Sequence, residues 1–185
     1  MIEEVKADAE NKMKKTLDAL KRELNTVRTG RASPTLLEPI RVDYYGQPTP
    51  LVQVASVTVP EARLLQIKPF DPSTISAIEK AILKSDLGLT PNNDGKLIRL
   101  PIPALTEERR REFTKVVHKY AEEARIALRN VRRDGLKDME EMEKEKMISE
   151  DQHFRGKESL QQVLDKYVAR VDEMSKAKET EIMEV

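Results

Sequence analysis

Residues 109–133 read RRREFTKVVHKYAEEARIALRNVRR. Phe113, Val117, Tyr120, Ala124, Leu128 and Val131 recur at three- and four-residue steps, which predicts a helix with one buried face. At about 100° per residue, Arg111, His118, Arg125, Arg129 and Arg132 gather on a second face, about 120° from the first. A solvated helix face ordinarily alternates signs so that i,i+3 and i,i+4 pairs form. Arg125 can reach Glu122 in that way, but Arg129, Arg132 and Arg133 have no Asp or Glu at those offsets. Arg129 and Arg133 even stand four residues apart and repel. A fold gains nothing from that arrangement, so an anionic partner outside the chain is expected.

The whole chain hides this bias. Its 33 Lys and Arg balance 33 Asp and Glu, which argues against a general nucleic-acid coat protein. Locally the balance breaks. Between Arg109 and Arg133 nine basic residues face three acidic ones, whereas from Asp134 to Phe154 eight acidic residues face three lysines. One stretch suits a polyanion and the next suits water.

Composition sets the outer limits. The chain has 185 residues, no Trp and only 4% aromatic residues, so one large globular core is not expected. The absence of Cys removes disulfides, thiolate nucleophiles and most zinc sites. No apolar run is long enough for a bilayer, and the opening MIEEVKADAE is acidic and periodic, unlike a signal or transit peptide. A soluble, cytoplasmic protein is expected, with no membrane partner.

Two further helices follow the same logic. Ile2, Val5, Ala9, Met13, Leu17, Leu20, Leu24 and Val27 predict a helix over 2–28. Thr106 with Glu107 and Glu108 starts the arginine-bearing helix, which runs to about 146. Beyond Gly135 only Met139 and Met142 hold its apolar stripe, so weaker packing is expected there. Ser149 to Gln152 has the form of a capping box. It opens a third helix with Leu160, Leu164, Tyr167, Val171, Met174 and Ile182 at core spacing. Three such helices can bury their stripes only against each other, in a long bundle.

The middle of the chain differs. All ten prolines lie between Pro34 and Pro103, and alternation replaces the helical period. Ile40–Tyr44, Val52–Val59, Leu65–Pro69 and Leu97–Ile102 predict strands, Gly46-Gln47-Pro48 and Pro91–Gly95 predict turns, and Ser73–Ser85 predicts one short helix. Tyr44 is expected inside and Tyr45 outside. The fold class is therefore α+β: residues 1–29 and 106–185 form a three-helix bundle, and residues 30–105 form a small β/α/β domain inserted into it. Two crossings join the parts, Thr29-Gly30-Arg31 and Pro103-Ala104-Leu105-Thr106. They are read as a hinge; Gly30 can equally serve as a helix C-cap, and the two roles are compatible.

Catalytic chemistry has little support. His118 and His153 are the only histidines, without a neighbouring nucleophile or metal-spaced ligand, and no phosphate-cradling glycine loop is present. No catalytic residue, metal or cofactor is expected.

Several motifs then carry a resemblance from end to end. They are Val27-Arg28-Thr29-Gly30-Arg31-Ala32-Ser33-Pro34; Val42-Asp43-Tyr44-Tyr45-Gly46 with Pro48-Thr49-Pro50; Ala55-Ser56-Val57-Thr58-Val59; and Ser85-Asp86-Leu87-Gly88-Leu89 with Pro91-Asn92. Leu105-Thr106-Glu107-Glu108-Arg109-Arg110, Arg129-Asn130-Val131-Arg132-Arg133-Asp134 and Ile148-Ser149-Glu150-Asp151 complete the set. In this order they resemble the ribosome recycling factor family. The resemblance implies an L-shaped molecule in which a three-helix bundle carries a β/α/β domain on a hinge. It implies a monomeric translation factor, not an enzyme, that works with elongation factor G and GTP. Its implied task is to split the post-termination ribosome into subunits from the intersubunit face of the large-subunit RNA. The family's RNA-contacting arginines map onto Arg28, Arg31, Arg129, Arg132 and Arg133, and Arg125 joins them here from its place on the basic face. The competing reading is a coiled-coil adaptor that binds another protein and has no affinity for RNA.

Overall fold

The computed structural model describes residues 1–184. In chain order the elements are α1 (Ile2–Asn25), β1 (Arg41–Tyr44), β2 (Gln47–Pro50), α2 (Leu51–Val54), β3 (Ala55–Glu61), β4 (Leu64–Pro69), α3 (Ile75–Lys84), β5 (Asn92–Asn93), β6 (Ile98–Pro101), α4 (Glu107–Lys144) and α5 (Glu150–Met183). They divide into two compact units, Met1–Thr29 with Glu107–Glu184, and Gly30–Thr106.

The first unit is a bundle of α1, α4 and α5. Its main core joins Met13, Leu17, Leu20 and Leu24 of α1 to Val117, Ala121, Ala124 and Leu128 of α4 and Val163, Leu164, Tyr167 and Val171 of α5. Apart from Ala121 and Val163, these are the residues whose 3.6-residue recurrence predicts the helices. Tyr167 is fully buried, and its hydroxyl donates to Glu10 Oε1 at 3.2 Å. That bond, with Lys166 and Lys14 nearby, holds the Glu10 carboxyl below its ordinary value.

At the other end of the bundle Ala9, Met139 and Leu160 form a separate small core. Met139 is buried, Met142 only half so. Few apolar side chains are available there, and the helices close the gap by approaching each other at two glycines. A Cβ on Gly135 would lie 2.9 Å from Leu160 Cδ2, and one on Gly156 would lie 2.9 Å from Met139 Sδ. The capping box is present at α5: Ser149 Oγ accepts from Gln152 N at 3.1 Å, and Gln152 Oε1 accepts from Ser149 N at 2.8 Å. It satisfies two backbone donors, one at either side of the helix start.

The first helix ends earlier than its apolar stripe suggests, at Asn25, with Thr26 as a right-handed cap. Gly30 lies four residues beyond that cap, so it does not cap the helix. Its φ is +77°, where a side chain is strained, and a Cβ there would meet Leu105 Cγ at 3.3 Å. The glycine is required because the incoming and outgoing crossings run side by side.

The second unit is built on an antiparallel sheet in the order β3-β4-β6-β5, with β1 and β2 forming a separate hairpin. Tyr45 and Gly46 close that hairpin with φ of 49° and 84°, the doubly positive geometry of a two-residue hairpin turn. Leu37, Val42, Leu51, Leu65, Ile67, Ile78, Ile82, Ile98 and Leu100 are fully buried in one core. The α3 helix follows a 3-10 turn at Pro72–Thr74 and buries Ile75, Ile78 and Ile82, while Ala81 is half-buried. One expectation fails. Val52 and Val54 belong to a single helical turn, α2, and the strand begins only at Ala55. The turn starts directly after Pro50 and buries Leu51 and Val54 on one side, a spacing of three that β-alternation cannot supply. The residues next to the two crossings bond to the β3–β4 turn within the second unit: Ala32 N donates to Ala62 O and Ile102 N donates to Arg63 O, each at 2.8 Å.

Candidate RNA-binding face

A long helix such as α4 brings i,i+7 residues onto one edge, and His118, Arg125 and Arg132 are spaced in that way. Across the seam α5 runs antiparallel and repeats the spacing with Glu179, Asp172 and Asp165. His118 Nε2 pairs with Glu179 Oε1 at 2.6 Å. Arg125 Nη2 reaches Asp172 Oδ1 at 2.5 Å, and its Nη1 meets Glu122 Oε2 at 3.2 Å. Hydrogen bonding to Asp172 and then Glu122 raises the guanidinium pKa against the desolvation that opposes it.

The third rung breaks the pattern. Arg132 does not meet Asp165. Its Nη1 donates to Gln161 Oε1, and Gln161 Nε2 donates to Asp165 Oδ1 at 2.8 Å. Arg132 is half-buried, and its Nε is sealed from water without a partner.

These contacts correct the view that the stripe lacks partners. Its seam members are matched by α5, which lies beyond any i,i+4 count. Its outward members are held loosely. Arg129 Nη1 lies 3.4 Å from Glu122 Oε1, seven residues away, with both side chains more than half exposed. Arg133 Nε lies 3.9 Å from Asp134 Oδ1, and its side chain is 73% exposed. Exposed pairs of this kind contribute about 0–1 kcal/mol. Arg111 is tied to Glu107 at 2.6 Å.

Arg28 is exposed just beyond the end of α1 and has no hydrogen-bond or ion-pair partner among the described residues. It lies at the end of the bundle where α4 starts, whereas Arg129 to Arg133 lie roughly 33–39 Å along α4 from Glu107, at ~1.5 Å per residue. Arg31 is exposed and belongs to the second unit. Of the two crossings, Thr29, Gly30 and Leu105 are half-buried, while Pro103, Ala104 and Thr106 are exposed. Glu179, Asp172, Asp165 and Gln161 are the neighbours that a reading of α4 alone misses. The signal for the three acids is a second seven-residue repeat, with the order reversed along the chain.

No group of three or more His, Asp or Glu that could hold a metal ion occurs among the described residues. His153 pairs with Glu143 alone. No helix of the described residues is long and apolar enough to cross a membrane. What the first unit offers is a line of guanidinium groups, three of which the bundle leaves largely un-neutralised on α4.

The sequence matches the family described as ribosome recycling factor over residues 20–183. The chain belongs to the ribosome recycling factor family. The ribosome-recycling factor of Heliobacterium modesticaldum is 55% identical over 185 residues, the full length of both chains. That of Bacillus thuringiensis is 57% identical, again over the whole of both. Among solved structures, the solution structure of a ribosome recycling factor is 43% identical with a TM-score of 0.74, covering all of this chain and 98% of the other. A second likeness, at 42% identity, a TM-score of 0.65 and full coverage of both chains, comes from models of the T. thermophilus ribosome recycling factor and the E. coli elongation factor G bound to the E. coli post-termination complex. The mostly helical chain with its small β-containing unit is thus the α+β architecture of ribosome recycling factors.

Proposed function

We propose that this chain is a translation factor that, with elongation factor G and GTP, takes the post-termination ribosome apart into its subunits. Full-length membership of the ribosome recycling factor family supports the general role, and the T. thermophilus relative described with elongation factor G on a post-termination complex supports the partners. The observation that carries the RNA contact is the uneven neutralisation of the α4 arginines. Arg125 is held between two carboxylates and serves the seam. Arg132 meets only a neutral amide, whereas Arg129 shares the exposed Glu122 at 3.4 Å and Arg133 approaches the exposed Asp134 at 3.9 Å, pairs that solvent screens. Together with Arg28 they keep charge for an external polyanion.

Their chemistry suits large-subunit RNA. The groups form a line, and a line tracks the phosphates of a duplex whose deep groove side chains do not read. The planar guanidinium fork binds a phosphate through two parallel bonds, which lysine's point charge does not. Such contacts fix position and carry no sequence choice. The bundle then anchors on RNA, the inserted unit receives the action of elongation factor G, and the crossings at Thr29–Arg31 and Pro103–Thr106 transmit it. The factor needs no catalytic group of its own, since GTP hydrolysis belongs to its partner.

Binding to purified large subunits tests this reading. Affinity should fall with salt with a slope of about −0.9 or less steep per phosphate contacted. Arg132→Ala should weaken binding about tenfold or more, as loss of a charge-assisted contact does. A flat salt dependence with unchanged Arg132→Ala affinity would favour a helical adaptor that binds protein.

A further inference from the structure

The α4–α5 seam pairs residues by a simple rule. His118 faces Glu179 and Arg125 faces Asp172, each seven residues on in α4 and seven back in α5. The same rule would set Arg132 against Asp165. Gln161, one turn before Asp165 on α5, stands between them instead. Its amide is used at both ends: the oxygen accepts from Arg132 Nη1 and the nitrogen donates to Asp165 Oδ1 at 2.8 Å.

An amide by itself has two orientations, and the wrong one would turn an N–H toward the guanidinium. An ionised Asp165 can only accept, so it takes the amide N–H and selects the orientation that points oxygen at Arg132. Gln161 itself carries no charge, so the arginine is aimed without being neutralised. The sealed Nε of Arg132 removes that edge of the fork. A phosphate must then be met at the Nη end, where Nη2 has no bond among the described residues.

We infer that Gln161, held by Asp165, is a positioning residue for Arg132: it presents the Nη end of the guanidinium to an RNA phosphate while leaving its charge intact. This inference rests on the proposed RNA-binding role of Arg132 and adds a support to it. Gln161 need touch no RNA and acts only through Arg132.

A double-mutant cycle on binding to purified large subunits tests it, with Arg132→Ala, Gln161→Leu and the pair. Gln161→Leu should weaken binding roughly three- to tenfold in the parent chain, the range of one lost hydrogen bond, and should have no effect in the Arg132→Ala background. Asp165→Leu separates positioning from bulk charge. Removing a carboxylate beside an RNA-facing arginine should raise affinity on electrostatic grounds alone, whereas the relay requires it to fall. Slow rotation of the Arg132 guanidinium, read from its side-chain 15N signals, should become fast in both the Gln161→Leu and Asp165→Leu proteins while the urea midpoint of the bundle stays close to the parent's. Equal losses from Gln161→Leu in the parent chain and in the Arg132→Ala background would overturn the relay, as would tighter binding by Asp165→Leu. An unchanged affinity in Arg132→Ala would instead refute the RNA-binding role itself, so the two failures are distinguishable.

Discussion

At the scale of single residues, what a side chain contributes here depends on who stands across the seam. Arg125 and Arg132 share a helix, a face and a seven-residue spacing, yet one is locked between Asp172 and Glu122 and the other meets an uncharged amide. Nothing in the local sequence of α4 separates them. The distinction lies on α5, some thirty to fifty residues later in the chain. Position-by-position counting finds the basic face but credits it with too little pairing, since i,i+4 arithmetic cannot see a partner on another helix or one at i−7. The Glu10–Tyr167 pair is another long-range contact of this sort. Because the Tyr167 hydroxyl is the main cause that lowers the Glu10 carboxyl, the ionised form is favoured in the fold. Its contribution is present above the ordinary carboxylate range and is lost as pH falls through the depressed value. Glu10→Gln should therefore flatten part of the acid-induced fall in the urea midpoint, leaving neutral-pH stability slightly lower. An identical pH profile for the two proteins would show that the pair is not coupled to folding.

At the scale of elements, the long helices are legible in the sequence and the short pieces are not. The apolar periods of α1, α4 and α5 persist for many turns, so random errors average out and the buried residues follow the stripe. Four residues such as Leu51–Val54 hold only one period of anything, and their β-branched content favours a strand that the structure does not form. The end of α1 is misjudged for a related reason: Val27 is buried, but beyond the helix rather than in it. In sequence, Gly135 and Gly156 only weaken good helix-forming stretches, whereas in the structure their role is close packing. Gly135→Ala gains about 1 kcal/mol of helix propensity. It also places a methyl 2.9 Å from buried Leu160 Cδ2, and overpacking of this kind costs about 1–3 kcal/mol. The net expectation is a loss of roughly 1 kcal/mol in urea unfolding followed by helical circular dichroism. A stabilised variant would mean that Leu160 moves aside freely.

At the scale of the whole molecule, the two units are joined by two crossings, and the residues that follow and precede them in the second unit, Ala32 and Ile102, bond to one turn at Ala62 and Arg63. The proposed function has these crossings transmit the action of elongation factor G, and their length is the variable that tests it. Adding three Gly or Ser residues to both crossings, after Gly30 and after Ala104, should leave large-subunit binding within about twofold, since the α4 arginines are untouched, and should strongly reduce subunit splitting by elongation factor G. Undiminished splitting by the lengthened protein would mean that the bundle wedges the subunits apart without help from the inserted unit.

Splitting of post-termination ribosomes by this chain together with elongation factor G is the proposed function. Its most direct measurement is sucrose-gradient sedimentation of purified post-termination ribosomes with the protein, elongation factor G and GTP, each omitted in turn. Conversion of intact ribosomes to separate subunits only when all three are present, with loss of that conversion in Arg132→Ala, is the predicted result. Particles that remain intact in the complete mixture, or that split equally well without this protein, would contradict it.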